Sequence, residues 1–168
     1  MHPITVAIAD ADGNRRIRYE HSLQDDLGVV LLTDVASSNE AEFETRRAKP
    51  RTNITVAENE LARAMRLNPR VLLVDLNLCS DVNFSMLGSL HRQCPATFVV
   101  LLVEGSGSIS EEAIMQAMEA GARGYLSRET AHHELAKVAQ VVGRGEIWAP
   151  RKMLGKIMDR VLRHEVLH

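Results

Sequence analysis

Two aspartates stand at the ends of apolar runs: ITVAIAD closes on Asp10, and VLLVD closes on Asp75. Burying an unpaired carboxylate is costly, so an acid in that position needs a partner. If the two runs are neighbouring parallel strands, both carboxylates reach the same edge of one sheet. Two anions side by side repel, and such a pair requires a cation or a shared proton. Mg²⁺ meets that need, because it takes oxygen ligands and keeps several of its waters. The alternative is that Asp10 and Asp75 are helix N-caps, which α/β loops also require. Spacing alone divides the two readings evenly.

Other residues carry less. EGSGSIS (104–110) is a glycine-containing turn between a strand and a helix, where a nucleotide phosphate could sit. It lacks the third glycine of a dinucleotide fingerprint and follows the wrong strand. His132 and His133 are adjacent, so on a helix they face apart and make a poor metal pair. Met115, Met118 and Ile114 read as packing rather than a cofactor box. Cys79 and Cys94 form neither a disulfide framework nor a metal knuckle. No catalytic triad or metal-ligand cluster supports an independent enzyme.

The elements that must position the acids are legible from apolar patterning. TVAIA (5–9), GVVLLTDV (28–35), VLLV (71–74), FVVLLV (98–103) and GYL (124–126) read as strands. The third and fourth are apolar throughout, as central parallel strands covered on both faces must be. Helices fill the gaps at 14–27, 58–67, 84–93, 111–120 and 130–142. Ser110 is placed to cap the fourth, and Gly121 to end it. The alternation predicts a doubly wound α/β parallel sheet with right-handed crossovers.

Two regions fall outside this plan. Residues 37–55 form a polar insertion carrying Glu40, Glu42, Glu44, Arg46, Arg47, Lys49 and Arg51. Residues 150–168 form a C-terminal linker or dimerisation helix after a domain spanning 1–149. Its apolar residues Met153, Leu154, Ile157, Met158, Val161 and Leu162 recur at helical spacing. Because the preceding residues already supply a complete core, the expectation is a homodimer with Met153, Ile157, Met158 and Val161 in contact.

Composition is ordinary: 168 residues, 45% hydrophobic, 25% charged, formal net charge −2. That balance offers no direct nucleic-acid surface and no membrane-binding face. The opening MHPITVAIADAD lacks the basic segment and cleavage site of a secretory signal. A reduced, cytoplasmic protein is expected.

In order and spacing, ITVAIADAD, VLLVDLNL, FVVLLVEGS and AGARGYLSRE resemble the receiver domains of response regulators. AGARGYLSRE with GRGEIWAPR is most similar to the receivers of LuxR/NarL-type helix-turn-helix transcription regulators. The resemblance covers roughly residues 4–150 apart from the insertion. It implies a flavodoxin-like five-stranded sheet in the order 2-1-3-4-5. It also implies a two-component phosphorelay in which Asp75 accepts a phosphoryl group from a histidine kinase. Asp10 would be one acid of an Mg²⁺-binding pair, and Asn77 would offer its backbone carbonyl to the metal. Tyr125 matches an aromatic that moves on activation, although packing beside the last strand explains it equally well.

The departures from the family pattern fall in the pocket. Ala11 replaces the second acid, leaving Asp12 as a further oxygen donor or the start of a turn. Leu102 replaces the hydroxyl that reports the phosphoryl group, and leucine cannot donate a hydrogen bond. Arg128 replaces a lysine, which keeps the charge but not the shape. Cys79 stands where a proline is usual. The resemblance therefore implies an atypical receiver with weak Mg²⁺ binding. The alternative is a pseudo-receiver acting as a phosphorylation-independent interaction module, and a nucleotide-binding domain is the third reading.

Overall fold

In this computed structural model the described residues are 2–33, 56–79, 84–105 and 110–166. The chain runs β1 (Ile4–Ala9), α1 (Gly13–Gln24), β2 (Val29–Leu31), α2 (Val56–Arg66), β3 (Val71–Asp75), a 3₁₀ turn (Leu76–Leu78), α3 (Ser85–Gln93), β4 (Phe98–Val103), α4 (Glu111–Ala120), β5 (Ala122–Ser127), α5 (Arg128–Gly143) and α6 (Arg151–Val166). The five strands are parallel, in the order β2-β1-β3-β4-β5. This is the predicted doubly wound sheet.

Helices cover both faces, which explains the unbroken apolar runs of β3 and β4. On one face Ala7, Leu72, Val74 and Leu101 pack with Leu61, Ala64, Leu87, Leu90 and Ala117. On the other, Val6, Ile8, Leu73, Val100 and Leu102 pack with Tyr19, Leu23, Leu135, Val138 and Val142. Each fully buried Leu or Ile contributes about 1.5–3 kcal/mol relative to exposure. The sheet is therefore a rigid base for whatever projects from its carboxyl edge.

Boundaries differ from the sequence reading at several elements, three of them informative. The second strand, expected over 28–35, covers only Val29–Leu31 within the described residues, with 34–35 outside them. It is an edge strand, paired on one side only, to Ile4–Val6 of β1. The first helix ends at Gln24 rather than residue 27, because its buried stripe stops at Leu23 while Leu27 is 98% exposed. The fifth starts at Arg128 rather than 130, with Ser127 as its cap, accepting from the Glu129 amide at 3.3 Å. The insertion at 37–55 lies outside the described residues.

Two glycines are required by geometry. Gly121 ends α4 at φ 128°, a conformation that favours glycine. At Gly124 a Cβ would lie 2.6 Å from the Trp148 carbonyl oxygen, so only glycine lets the 146–150 segment run alongside β5.

That segment leads into α6, which folds back onto its own domain. Met153 is 4% exposed and packs with Ile114 and Met115 of α4. Lys156 pairs with Glu111, while Arg160 reaches Glu112 at 2.7 Å and Glu119 at 2.9 Å. The expectation that Met153 contacts a second copy is therefore corrected: its side chain is used within the chain. Met158, Val161 and Leu162 remain about half exposed, Val161 at the groove between α6 and α4.

Candidate functional site: an arginine-bridged acidic pocket

The strand register builds the site. β1 and β3 pair Ala9 with Val74, so the next step sets Asp10 beside Asp75. β3 and β4 pair Asp75 with Leu102, and β4 and β5 pair Leu102 with Leu126. Paired residues share a face of the sheet, so Asp10, Asp75 and Leu102 stand in one row. Arg128, two residues beyond Leu126, joins them from the first turn of α5. Both acids are buried, Asp10 at 2% exposure and Asp75 at 1%.

The charge that the two carboxylates demand comes from Arg15. Its Nε donates to Asp10 Oδ2 at 2.5 Å and its Nη2 to Asp10 Oδ1 at 2.7 Å, a bidentate fork. Nη2 also reaches Asp75 Oδ2 at 3.2 Å. One guanidinium thus bridges both acids. On the far side, Arg128 Nη2 donates to Asp75 Oδ1 and Nη1 to Glu104 Oε1 at 3.0 Å. The hydrogen bond to Asp10, with the charges of Asp10 and Asp75, pushes the Arg15 pKa further above its ordinary value.

Local chemistry at the start of α1 aims Arg15. Asp12 is the N-cap: Oδ1 accepts from the Asn14 amide at 3.0 Å and the Arg15 amide at 3.2 Å. Those amides, the Arg15 bond first, hold the Asp12 carboxyl below its usual range. Its own N–H donates to Asp10 Oδ1 at 2.9 Å. Asp12, expected as a further metal donor, is thus placed as a helix cap. Arg15 is the third helical residue, and helical side chains lean toward the N-terminus. It therefore reaches back over the carboxyl end of β1.

Glu60 of α2 forms a second tier. It accepts from the Asp10 amide at 3.2 Å, from Arg16 Nη1 at 3.1 Å and from Arg63 Nη2 at 2.8 Å. Arg63 Nη2 also donates to the Ile8 carbonyl at 2.7 Å. Burial by itself raises the Glu60 carboxyl, but the Arg63 hydrogen bond and charge, with help from the Asp10 amide and Arg16, hold it below its ordinary value.

The remaining predicted residues divide. Asp10, Asp75, Leu102 and Arg128 are brought together. Asn77 lies in the exposed middle of the 3₁₀ turn directly after Asp75. Tyr125 is on the opposite face of the sheet, half-buried against the Ile114–Met115–Met153 cluster, and burial pushes its hydroxyl pKa up. Ser106 and Ser108, considered as replacements for the missing hydroxyl, lie outside the described residues. The sequence reading missed Arg15, Glu60 and Glu104. A signal for Arg15 existed: an N-cap aspartate two residues after an acidic strand end, with arginine three residues on.

The donor set can be tested against the divalent cation that the resemblance implies. Both Asp10 oxygens and both Asp75 oxygens already accept from arginine. Ala11 supplies no third acid, and Asp12 is occupied in capping. Two guanidinium charges already balance the two buried carboxylates. With Arg15 in this position, the residues present do not fit the metal.

Comparison with solved structures places this architecture. The isolated receiver domain of RcsB from Salmonella enterica serovar Typhimurium, in its apo form, matches at TM-score 0.61 with 16% identity. That match covers 93% of this chain and 98% of that one. A LuxR-family two-component response regulator from Aurantimonas sp. SI85-9A1 matches at TM-score 0.60 and 16% identity, covering 95% and 99%. A LuxR-family DNA-binding response regulator from Silicibacter pomeroyi matches at 0.54 and 21%, covering 89% and 98%. The chain has the receiver fold. At these identities the likeness is one of fold, in the form found in LuxR/NarL-family response regulators. No protein-family model and no curated protein matches the chain. Among the described residues no helix is long and apolar enough to cross a membrane.

Proposed function

We propose that the chain is a pseudo-receiver: a receiver-fold signalling module, without catalytic activity of its own, whose protein contacts do not depend on phosphorylation of Asp75. The observation that carries this reading is the state of the Asp75 carboxylate. It is buried, with Oδ1 held by Arg128 and Oδ2 by Arg15. A carboxylate nucleophile must offer a lone pair to phosphorus in line with the leaving group, and metal ions normally neutralise the phosphoryl oxygens. Here each oxygen already accepts a hydrogen bond from an arginine, and a guanidinium stands against each. Leu102, buried beside Asp75, has no hydrogen to donate to a phosphoryl oxygen. A ligand shifts a conformational equilibrium only through differential contacts with its two states, and Leu102 offers a phosphoryl group none.

The competing reading is the phosphoacceptor of a histidine kinase, served by the same Asp75. Treatment with acetyl phosphate and Mg²⁺, followed by intact-mass measurement and hydrogen exchange on α4, β5 and α5, separates the two. The pseudo-receiver reading expects unmodified protein and unchanged exchange. Stoichiometric phosphate on Asp75, lost in Asp75→Asn, sinks it.

Homodimerisation belongs to the same proposal in altered form. Met153 is used internally, so the surface offered to a second copy is the half-exposed set Met158, Val161 and Leu162. Light scattering on the chain and on a Val161→Glu variant tests it. A monomer at high micromolar concentration refutes it.

A further inference from the structure

We propose that Arg15 is the resident cation of this pocket, taking the place of a divalent metal and excluding one. This deepens the pseudo-receiver reading and rests on it, but the two fail in different experiments. A pair of neighbouring carboxylates at the end of β1 and β3 needs positive charge whatever the protein does. The structure supplies it from within the chain. The guanidinium of Arg15 contacts Asp10 through two nitrogens and Asp75 through one of them. It is held there by its own helix, whose cap Asp12 accepts the Arg15 amide while donating its N–H to Asp10.

Charge arithmetic supports exclusion. Asp10 and Asp75 give two negative charges, and Arg15 and Arg128 give two positive ones. A divalent ion added to that set meets no net negative charge and must displace a bidentate arginine from a carboxylate that is fully buried. Without Arg15 the same set carries one net negative charge and frees three carboxylate contacts. Hard cations gain affinity with the number of charged oxygen ligands they find. The consequence is a pocket whose charge is fixed by the chain rather than by the surrounding Mg²⁺, with α1 tied to β3 through one side chain.

The test is divalent-cation binding, measured without reference to phosphorylation. Mn²⁺ is titrated into the full chain, into Arg15→Met and into Arg15→Met/Ala11→Asp, with free Mn²⁺ followed by electron paramagnetic resonance. The expected order is no saturable binding in the unaltered chain, then a gain of about tenfold or more in Arg15→Met, and a further gain in the double variant. Ala11→Asp alone gains little, since Arg15 still holds Asp10. Saturable binding by the unaltered chain overturns the proposal, as does a folded Arg15→Met that binds no better. Should Arg15→Met fail to fold, the unaltered chain decides. The Arg15 side-chain Nε–H resonance is expected to stay put as Mg²⁺ is added, and a saturable shift there overturns the proposal. A chain that binds no metal yet takes phosphate on Asp75 defeats the pseudo-receiver reading and leaves Arg15 as the cation. A chain that binds metal but is never phosphorylated does the reverse.

Discussion

Two groups of arginine–carboxylate pairs among the described residues are not equivalent. At the carboxyl edge of the sheet, Arg15 and Arg128 hold Asp10 and Asp75, whose side chains are 0% and 2% exposed. Between α6 and α4, Arg160 holds Glu112 and Glu119, whose side chains are 61% and 47% exposed. The contact distances overlap. What differs is the alternative open to each carboxylate when its partner leaves. The glutamates of α4 return to water at little cost, whereas Asp10 and Asp75 have no water to return to. Surface pairs are worth about 0–1 kcal/mol. Stranding a buried charge costs about 3–5 kcal/mol, even where the intact pair adds little net stability. The inner cluster is obligatory once its acids exist, and the outer one is an accessory to apolar packing.

The sharpest way to break this contrast is at Arg15. Arg15→Met without divalent metal is expected to lower unfolding free energy by about 3 kcal/mol in urea melts, since Asp10 loses its only side-chain cation among the described residues. Adding Asp10→Asn to that variant is expected to restore much of the loss, because the stranded charge is gone. A loss below about 1 kcal/mol would place the inner cluster in the same class as the outer one.

The second effect lies at the apolar part of the outer region. Met153 is buried with Ile114 and Met115, in a small cluster apart from the two main cores. Met153→Ala is expected to cost about 2 kcal/mol, the lower end for a buried methionine, because this site sits at an edge that can relax. Ending the chain at Ala149 is expected to destabilise it further, since Ile114 and Met115 lose their cover. An undiminished melting temperature in the truncated chain contradicts the docking of α6 on its own domain.

Acid titration refines the inner region. Glu60 has its folded pKa held below the ordinary value of 4.5. A depressed carboxyl stabilises the fold above its unfolded pKa and loses that contribution as pH falls through its folded one. Stability is therefore expected to fall below pH 4.5, and Glu60→Gln is expected to flatten that part of the curve while lowering stability at neutral pH. An acid limb unchanged in Glu60→Gln removes Glu60 from the supporting tier.

Much of this contrast was legible in the sequence, and the reasons it was not wholly so are physical. The fold follows from apolar runs at β3 and β4 that only a two-sided sheet can bury. The pair Asp10 and Asp75 was reachable too, because each ends a run and parallel register brings run ends together. Leu102 and Arg128 were singled out through the family resemblance rather than from spacing. Arg15 was not, because its role depends on the direction in which a helical side chain leans, and the thin apolar stripe of α1 gave little to orient that helix. Glu60 belongs to a helix whose relation to β1 depends on tertiary packing, which spacing does not encode. The second strand was overextended because an apolar run records burial rather than pairing, and β2 pairs on one side only. The C-terminal stripe was read as one face seeking one partner. Instead it divides, Met153 buried against α4 and Met158, Val161 and Leu162 left about half exposed.

The smallest effect expected is at Arg160, and it tests the comparison from the other side. Its guanidinium spans Glu112 and Glu119, and the three side chains are between 30% and 61% exposed. The hydrogen bonds to Glu112 and Glu119 raise the Arg160 pKa, so the charge is present at every accessible pH. Solvent at this site screens the attraction, and holding one long side chain between two others costs rotamer freedom. Arg160→Ala is expected to lower the urea midpoint only slightly, and raising salt is expected to erase most of that change. The inner cluster, shielded by the sheet edge and α1, is expected to respond weakly to the same salt. Urea melts of Arg160→Ala and Arg15→Met at low and high ionic strength provide the measurement. If both variants lose their effect together as salt rises, burial is not what separates the two regions.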